Sequence, residues 1–267
     1  MGLINIWRMP LLFIISGMSI SFALKKKSWR ELLGDRTKRI LIPLIFGSFF
    51  IVPIHMYFYQ KFTGLDYVYL PNPGHLWFLS NIFIYFLILA PIVFYLNRNI
   101  DNIFLRLSKR ALTYPIALYL ITIPFIIEVK VLLKPGYSFE SYATTAHGFV
   151  IGLLAFLSGF FFVLIGNPFW SAVKKIKNLT LLISIILYVI RLIIFKLEGP
   201  SYLIVIESWS WLFTIFGFGS TYLNHPSIRL TYLNTAVYPV YILHMIFIFM
   251  ASELILTKPI YVNHVHT

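Results

Sequence analysis

Two groups of closely spaced residues carry the side chains best suited to chemistry in this sequence. His75 and Trp77 stand in "PNPGHLWFLSNIFIYF", where two prolines end and a long apolar run begins. Arg36 and Arg39 stand three residues apart in "LLGDRTKRILIP", with Lys38 between them. Two guanidinium groups on one helical face can bind phosphate bidentately. The first group therefore suggests a polar ligand site at a helix mouth, and the second an anion site.

A helix that starts beside the arginines would strengthen the anion site. Asp35 is predicted to cap such a helix, because aspartate is a favoured N-cap residue and the first helical turn attracts anions. The alternative is that these basic residues only lie in a cytoplasmic loop and contact lipid headgroups. Spacing alone leaves both interpretations open.

The elements that must position these residues are transmembrane helices. The chain has 267 residues, of which 59% are hydrophobic and 12% charged, whereas soluble domains average about 25% charged. A helix needs about 20 apolar residues to cross the hydrocarbon core, and eight stretches approach or reach that length. The sequence thus predicts an all-α, polytopic membrane bundle embedded in a lipid bilayer. The predicted spans are 9–24, 40–59, 76–96, 113–127, 146–166, 179–195, 202–222 and 235–256.

The distribution of basic residues predicts the topology. Most of the 22 lysines and arginines fall in the loops 25–39, 97–112, 167–178 and 223–234. These loops are therefore expected in the cytoplasm, with both ends of the chain outside. The same rule accounts for the net charge of +13 without a nucleic-acid partner. The absence of cysteine excludes disulfides, thiolate metal sites and cysteine nucleophiles.

Histidines at membrane depth are candidates for function, because ionisable groups there are costly. At about 1.5 Å per residue, His55 falls in the outer half, His75 and His147 at the outer ends of their spans, and His244 near mid-bilayer. The alternative for His75 is an interfacial histidine bonded to loop carbonyls, and for His244 a structural bond between helices. His264 and His266 resemble a metal-binding pair, but two ligands alone are a weak signal.

Arg191 and Glu207 are predicted to reach similar depth in adjacent spans, where the simplest interpretation is a buried ion pair. Trp77 has a comparable alternative as an aromatic anchor at the membrane interface. Small residues four apart, as at Gly17 and Ser21, predict close helix contacts. Two further pairs of this kind are Gly148 with Gly152 and Gly217 with Thr221.

Four sequence blocks occur in the order seen in the membrane acyltransferase-3 family. They are "WRMPLLFIISGMSISFAL", "LLGDRTKRILIPLIFG" with "VPIHMY", "GHLWFLSNIFIYF" and "YPVYILHMIF". The chain resembles most the branch with periplasmic-glucan succinyltransferases and sugar O-acetylases. The resemblance implies transfer of an acetyl or succinyl group from cytoplasmic acyl-CoA to a hydroxyl of an extracytoplasmic carbohydrate. It implies the bacterial inner membrane, and acyl-CoA as a donor substrate with no permanently bound cofactor.

The resemblance also assigns roles residue by residue. It implies that Arg36 and Arg39 contact the phosphates of CoA, and Lys38 is expected to join them in cofactor binding. His75, His244 and Glu207 become the expected catalytic residues. Trp77 and Ser16 become the expected substrate-binding residues, and Arg191 is expected to join them, with no metal ligand among the assigned positions.

One departure from the family concerns the ends of the chain. The family begins with a further helix that carries a basic residue and a histidine regarded as the catalytic base, and it usually adds another span at the end. The resemblance therefore implies one acyltransferase-like domain over 1–267 that is truncated at both ends. It could be a fragment, a protein with a mis-assigned start or a degenerate paralogue, and we expect little activity from it alone. The alternative class is a non-enzymatic transporter or flippase for a polar lipid or sugar.

Overall fold

A computed structural model describes residues 2–99, 102–134, 136–225 and 227–256. Within these ranges the regular elements are all helical and no strand is present, which confirms the predicted all-α class. The helices are α1 (Gly2–Leu24), α2 (Trp29–Thr63), α3 (Trp77–Arg98), α4 (Ile103–Ala111), α5 (Thr122–Leu132), α6 (Ala146–Ile165), α7 (Asn167–Ile193), α8 (Ser201–Phe218) and α9 (Ile228–Leu256).

Short irregular helical segments adjoin several of these helices. The 3-10 helices Gly74–Leu76 and Pro115–Ile121 lead into α3 and α5. Two π-helical turns, Thr37–Leu41 and Gly47–Ile51, interrupt α2, and a third, Gly219–Leu223, extends α8. All the described helices except α4, taken with these extensions, are long and apolar enough to cross a membrane. The eight predicted spans are therefore confirmed, and the chain is a multi-pass membrane protein.

All four loops of the predicted cytoplasmic set contain helix, since α2, α4, α7 and α9 each cover part of one of them. Helix α7 begins at Asn167 rather than near residue 179, because Pro168 fits the first helical turn and the lysine-rich stretch that follows retains helix propensity. A hydropathy window ends where apolar residues end, but a helix can continue into the polar layer. The boundary of the hydrocarbon and the boundary of the helix thus differ by about three turns here.

The predicted cap at Asp35 is wrong, because α2 begins at Trp29. Ser28 and Glu31 form a capping box: the Ser28 N–H donates to Glu31 Oε2 at 2.8 Å, and the Glu31 N–H lies 3.5 Å from Ser28 Oγ. Arg36 therefore lies inside a continuous helix and gains nothing from a free helix N-terminus.

The helices form two compact units. The first unit consists of Met1–Leu32 and Ile84–His225, and the second of Leu33–Phe83 and Pro226–Thr267. Helix α3 contributes its first residues to the second unit and the rest to the first. Each unit has its own pattern of packing.

Glycines bring helices of the first unit into backbone contact. A Cβ on Gly17 of α1 would lie 1.9 Å from the Phe156 carbonyl oxygen of α6, and one on Gly159 would lie 1.9 Å from the Ile14 oxygen. A Cβ on Gly217 of α8 would meet the backbone of α7 at 2.7 Å. The small-residue contacts predicted at Gly17 and Gly217 are therefore confirmed, and Gly159 completes the crossing of α1 with α6.

The second unit is built on α2 and α9, which run side by side in the same direction. Contacts occur at three levels in the same order along both helices: Arg39 with Tyr238, His55 with Phe249, and Lys61 with Glu253. The shared order shows that the two helices are parallel.

The segment 65–73 folds back along α2 instead of continuing outward. The Gln60 side chain bonds both the N–H and the carbonyl of Val68, and the Tyr69 hydroxyl donates to the Phe49 carbonyl at 2.8 Å. The chain thereby returns to the level of Val52 before α3 begins, where a Cβ on Gly74 would lie 2.9 Å from the Val52 side chain.

Candidate active site

Three histidines meet in the second unit. His55 comes from α2, His75 from the 3-10 turn before α3, and His244 from α9. The ring centroids of His55 and His75 are 5.2 Å apart, as are those of His75 and His244. Both ring pairs are edge-on. We call these three residues the histidine cluster.

Backbone carbonyls fix the tautomers of two members. His75 Nε2 lies 3.0 Å from the Ile242 oxygen, and His244 Nδ1 lies 2.6 Å from the Tyr241 oxygen. A carbonyl oxygen only accepts hydrogen bonds, so each of these nitrogens donates. In the neutral rings the lone pair then falls on Nδ1 of His75 and on Nε2 of His244. Each ring therefore keeps one nitrogen that can accept a hydrogen bond or a proton.

Helix α9 also holds the backbone around His75. The Tyr241 hydroxyl donates to the His75 carbonyl at 2.7 Å, while the His75 ring donates back to α9 at Ile242. Gly74 has φ of +46° and lies against Val52, so that position requires a residue without a side chain. The position of the His75 ring is therefore set by contacts on both sides.

Polar atoms in the cluster are left incompletely satisfied. His55 is 3% exposed, and His75 is half-buried. Among the described residues, the buried Nδ1 atoms of both rings lack a well-formed hydrogen bond, although the Ile51 carbonyl lies close to His55. Buried polar groups without partners are costly and rare in structural positions. The cluster is thus suited to a polar ligand that would supply the missing bonds.

The cluster lies at one depth, some way inside the helix ends. His55 precedes Lys61 by six residues and His244 precedes Glu253 by nine, which corresponds to about 9 and 14 Å at 1.5 Å per residue. The sequence analysis predicted different depths for the two residues, with His75 at the outer mouth and His244 near mid-bilayer. This prediction is wrong, because the two rings lie 5.2 Å apart. The physical reason is the folded-back segment 65–73, which carries the start of α3 inward.

The predicted donor residues lie on α2 in the same unit. Lys38 and Arg39 are exposed, and Arg36 is partly buried within electrostatic range of Arg39 and Asp35. From Arg39 to His55 the helix rises by at most about 24 Å, at 1.5 Å per residue. One helix therefore connects the basic group with the histidine cluster.

Trp77 is half-buried in the first turn of α3. It follows directly after the 3-10 turn that holds His75, a member of the histidine cluster. Its predicted role as a substrate contact stays a prediction.

Arg191 and Glu207 lie in the first unit and form the predicted ion pair. Arg191 Nε donates to Glu207 Oε2 at 2.6 Å and Nη2 donates to Oε1 at 3.0 Å, and both residues are buried. Arg191 also donates to the carbonyls of Gly2 and Leu197. A buried ion pair with these hydrogen bonds can be explained by its structural role alone. The catalytic role predicted for Glu207 and the substrate-binding role predicted for Arg191 stay predictions.

Two other predicted polar residues make local bonds in the first unit. Ser16 Oγ donates to the Leu12 carbonyl of its own helix at 2.9 Å. His147 lies 2.8 and 3.1 Å from the two oxygens of Glu128 through Nδ1, and 3.1 Å from the Phe139 carbonyl through Nε2. His147 is therefore held through both ring nitrogens, by Glu128 and by the Phe139 carbonyl.

No group of three potential ligands suited to a metal ion occurs within the described ranges. The His264 and His266 pair lies outside the described residues.

Sequence reasoning missed two members of the site: it gave His55 no role and did not consider Tyr241. The available signal for Tyr241 was its position one helical turn before His244.

Comparison with known proteins identifies the family. Residues 2–261 match the acyltransferase-3 family, described as an acyltransferase domain. No curated protein and no solved structure matches the chain. The family match extends over both units and includes the histidine cluster and the basic group of α2. The chain therefore belongs to the membrane acyltransferase-3 family and is a multi-pass membrane acyltransferase.

Proposed function

We propose that this protein moves an acetyl or succinyl group from cytoplasmic acyl-CoA to a hydroxyl of an extracytoplasmic glycan across the bacterial inner membrane. One observation carries the proposal: in a membrane acyltransferase, His75 and His244 lie together with their basic nitrogens free of the carbonyls that orient them. The unfilled hydrogen-bonding capacity of the cluster suits a sugar hydroxyl.

The reaction needs a base for the attacking hydroxyl. We assign this role to His244, whose Nδ1–H is held by the Tyr241 carbonyl so that Nε2 can accept a proton. The hydroxyl oxygen then bonds to the thioester carbonyl carbon, the C–S bond breaks, and the leaving thiolate takes the proton back from the imidazolium. A base whose orientation is fixed by a second group is the usual arrangement for such a reaction.

His75 has a positioning role in this proposal. Its Nδ1 can accept a hydrogen bond from a hydroxyl of the glycan, while its Nε2–H stays on the Ile242 carbonyl. Trp77, two residues later, offers an aromatic face to the sugar ring. Together they would bring the attacking oxygen to His244 in a productive orientation.

The basic group of α2 supports binding of the donor. Arg36, Lys38 and Arg39 provide three cations for the phosphates of CoA. The pantetheine arm would extend along α2 toward His55, over the rise of at most about 24 Å between Arg39 and His55. The thioester would reach the histidine cluster from the side predicted to be cytoplasmic.

Donor binding can be tested first, without turnover. The double variant Arg36→Ala/Arg39→Ala should raise the Kd for CoA at least about tenfold, because hydrogen bonds to charged groups contribute about 1.5–3 kcal/mol each. Isothermal titration of the detergent-solubilised protein measures this. Lys25→Ala/Lys26→Ala, which removes two exposed cations next to α2, is the matched control. Equal affinity of the arginine variant and the control would overturn the donor site.

Transfer itself can be measured in proteoliposomes that hold radiolabelled acetyl-CoA or succinyl-CoA inside and a glucan outside. We expect label in the glucan only when donor and acceptor lie on opposite sides. Transfer that survives in His244→Gln would remove His244 as the base. No transfer by the unaltered chain would overturn the proposal that its own histidine cluster is sufficient for the reaction.

The other predicted site residues can be tested in the same assay. Ser16, Arg191 and Glu207 belong to the first unit, and their hydroxyl, guanidinium and carboxylate groups already have protein partners. We propose that the ion pair acts on activity only through stability. A Glu207→Gln variant with an unchanged melting temperature and no transfer would instead restore its predicted catalytic role.

A further inference from the structure

A large apolar cavity opens in the first unit, between α4, the 3-10 helix Pro115–Ile121, α5, α6 and the start of α7. Its volume is about 510 Å³, within the range of small-molecule sites. Only Ser108 and Ser158 bring side-chain polar groups to its lining, and Ser158 Oγ already donates to the Leu154 carbonyl at 2.7 Å. None of the described residues proposed above for donor binding or catalysis lines it.

Local sequence explains why helices leave this space open. The chain enters α5 through a 3-10 helix that begins at Pro115, and Pro124 follows within the first turn of α5. A 3-10 helix is narrower than an α-helix, and the facing positions Ala111 and Ala117 have small side chains. Elsewhere the lining consists of larger apolar groups such as Phe161. The cavity is therefore wide, smooth and apolar, as a hydrocarbon chain requires.

Helix α4 supplies charge at the edge of this cavity. Its nine residues "IFLRLSKRA" contain three cations and no acidic residue. At 100° per residue, Arg106, Lys109 and Arg110 fall on one side, and Phe104 and Ser108 fall on the side that lines the cavity. A helix is about 10–12 Å across, so the cations lie within one helix diameter of the lining.

The exposed apolar residues of α4 place it at the membrane surface. Ile103 is 68% exposed and Leu107 is 57% exposed, on a helix too short to cross a bilayer. Short amphipathic helices with a basic face lie in the headgroup layer. The predicted cytoplasmic location of 97–112 puts this face next to anionic lipid headgroups.

We propose that this cavity is a binding site for one anionic glycerophospholipid. An acyl chain fills the apolar cavity, and the phosphate headgroup lies beside α4, where the long side chains of Arg106, Lys109 and Arg110 extend around the helix to reach it. The charge of α4 selects this occupant, since a zwitterionic lipid would fill the same cavity without neutralising the three cations. The site is separate from the histidine cluster and does not depend on the proposed reaction.

Native mass spectrometry of the whole protein tests the proposal. The protein is titrated in detergent with dioleoyl phosphatidylglycerol or dioleoyl phosphatidylcholine, and the fraction carrying one lipid is measured. We expect one phosphatidylglycerol to bind before any other lipid, at least about fivefold more tightly than phosphatidylcholine. Lys109→Gln/Arg110→Gln should remove most of this preference while phosphatidylcholine binding stays the same. Lys174→Gln/Lys175→Gln is the charge-matched control.

Filling the cavity tests the acyl-chain half of the site. Ala117→Phe should abolish the first binding event for both lipids, whereas Ile123→Phe, at a position that is 50% exposed and does not line the cavity, should leave it intact. If Ala117→Phe lowers the melting temperature, the smaller Ala117→Leu should still weaken binding. Unchanged binding in a folded Ala117 variant overturns the cavity assignment. Equal affinity of the unaltered protein for the two lipids overturns the headgroup assignment.

Discussion

The two units treat their buried ionisable side chains differently. In the first unit, the buried Arg191 and Glu207 bond to each other through two hydrogen bonds, and Nδ1 of the buried His147 lies within hydrogen-bonding distance of both oxygens of Glu128. In the second unit, His55 is as deeply buried as Arg191, yet its Nδ1 lacks a well-formed bond among the described residues. The first pattern stabilises a fold, and the second leaves capacity for a ligand.

The helices of the first unit are also packed more densely than those of the second. In the first unit most of α6 is buried, and glycines bring it against the backbone of α1. In the second unit α9 has no fully buried residue between 228 and 255, and side-chain hydrogen bonds fix its position beside α2. Dense packing resists change in volume, whereas a loosely covered polar cluster can admit a substrate. The comparison predicts opposite responses to substitution in the two units.

Replacement of the proposed base should have the largest effect, and on activity alone. His244→Gln keeps the side-chain size but removes the basic nitrogen, so transfer should fall by about 10²–10⁴ with an unchanged melting temperature. The proteoliposome assay and thermal unfolding in detergent measure the two quantities. His225→Gln, at an exposed histidine of the first unit, should change neither. A melting temperature that falls together with the activity in His244→Gln would mean that the cluster is structural.

Breaking the buried ion pair should act on stability. Glu207→Gln leaves Arg191 charged and unpaired, so the free energy of unfolding should fall by about 3–5 kcal/mol. The double variant Arg191→Met/Glu207→Gln should lose less than the sum of the single variants, because no lone charge remains. Titration with sodium dodecyl sulfate measures all three. Additive losses would show that the two residues do not interact.

Glycine-to-alanine substitutions should change the free energy of unfolding in opposite directions in the two units. Gly159→Ala adds a methyl group that would lie 1.9 Å from the Ile14 oxygen, and overpacking of this kind costs about 1–3 kcal/mol. Gly34→Ala, in α2 of the second unit, meets no atom within 4 Å. It should raise helix stability by up to about 1 kcal/mol. A destabilising Gly34→Ala would contradict the looser packing inferred for the second unit.

The exposed ion pair should show the smallest effect. Lys61 Nζ lies 2.6 Å from Glu253 Oε1, but the Lys61 side chain is 57% exposed. Surface pairs in water gain little over their hydrated state, so Lys61→Ala should leave the melting temperature unchanged within error. The same measurement on Glu207→Gln provides the contrast. A comparable drop in both variants would show that exposure does not distinguish the two pairs.

Part of the candidate site could be predicted from sequence, because some of its signals are local. The spacing of Arg36 and Arg39 and the blocks around His75 and His244 are readable along the chain. The proximity of His55 to His75 was not, since nothing near His55 in sequence indicates that its ring lies 5.2 Å from that of His75. The cap at Asp35 was mispredicted because the Ser28–Glu31 capping box competes with it, and a helix takes the earlier start when its donors are satisfied there.

The eight spans, the family and the arginine–glutamate pair could all be predicted from the amino-acid sequence. Hydrophobic run length and hairpin geometry are properties of neighbouring residues, and the bilayer leaves a helix as the only way to bond the backbone within one segment. The common depth of His55, His75 and His244, in contrast, is visible in the folded protein alone. That outcome depends on the fold-back of 65–73 and on the parallel pairing of α2 with α9, which are contacts between segments far apart in the chain and without a local signature.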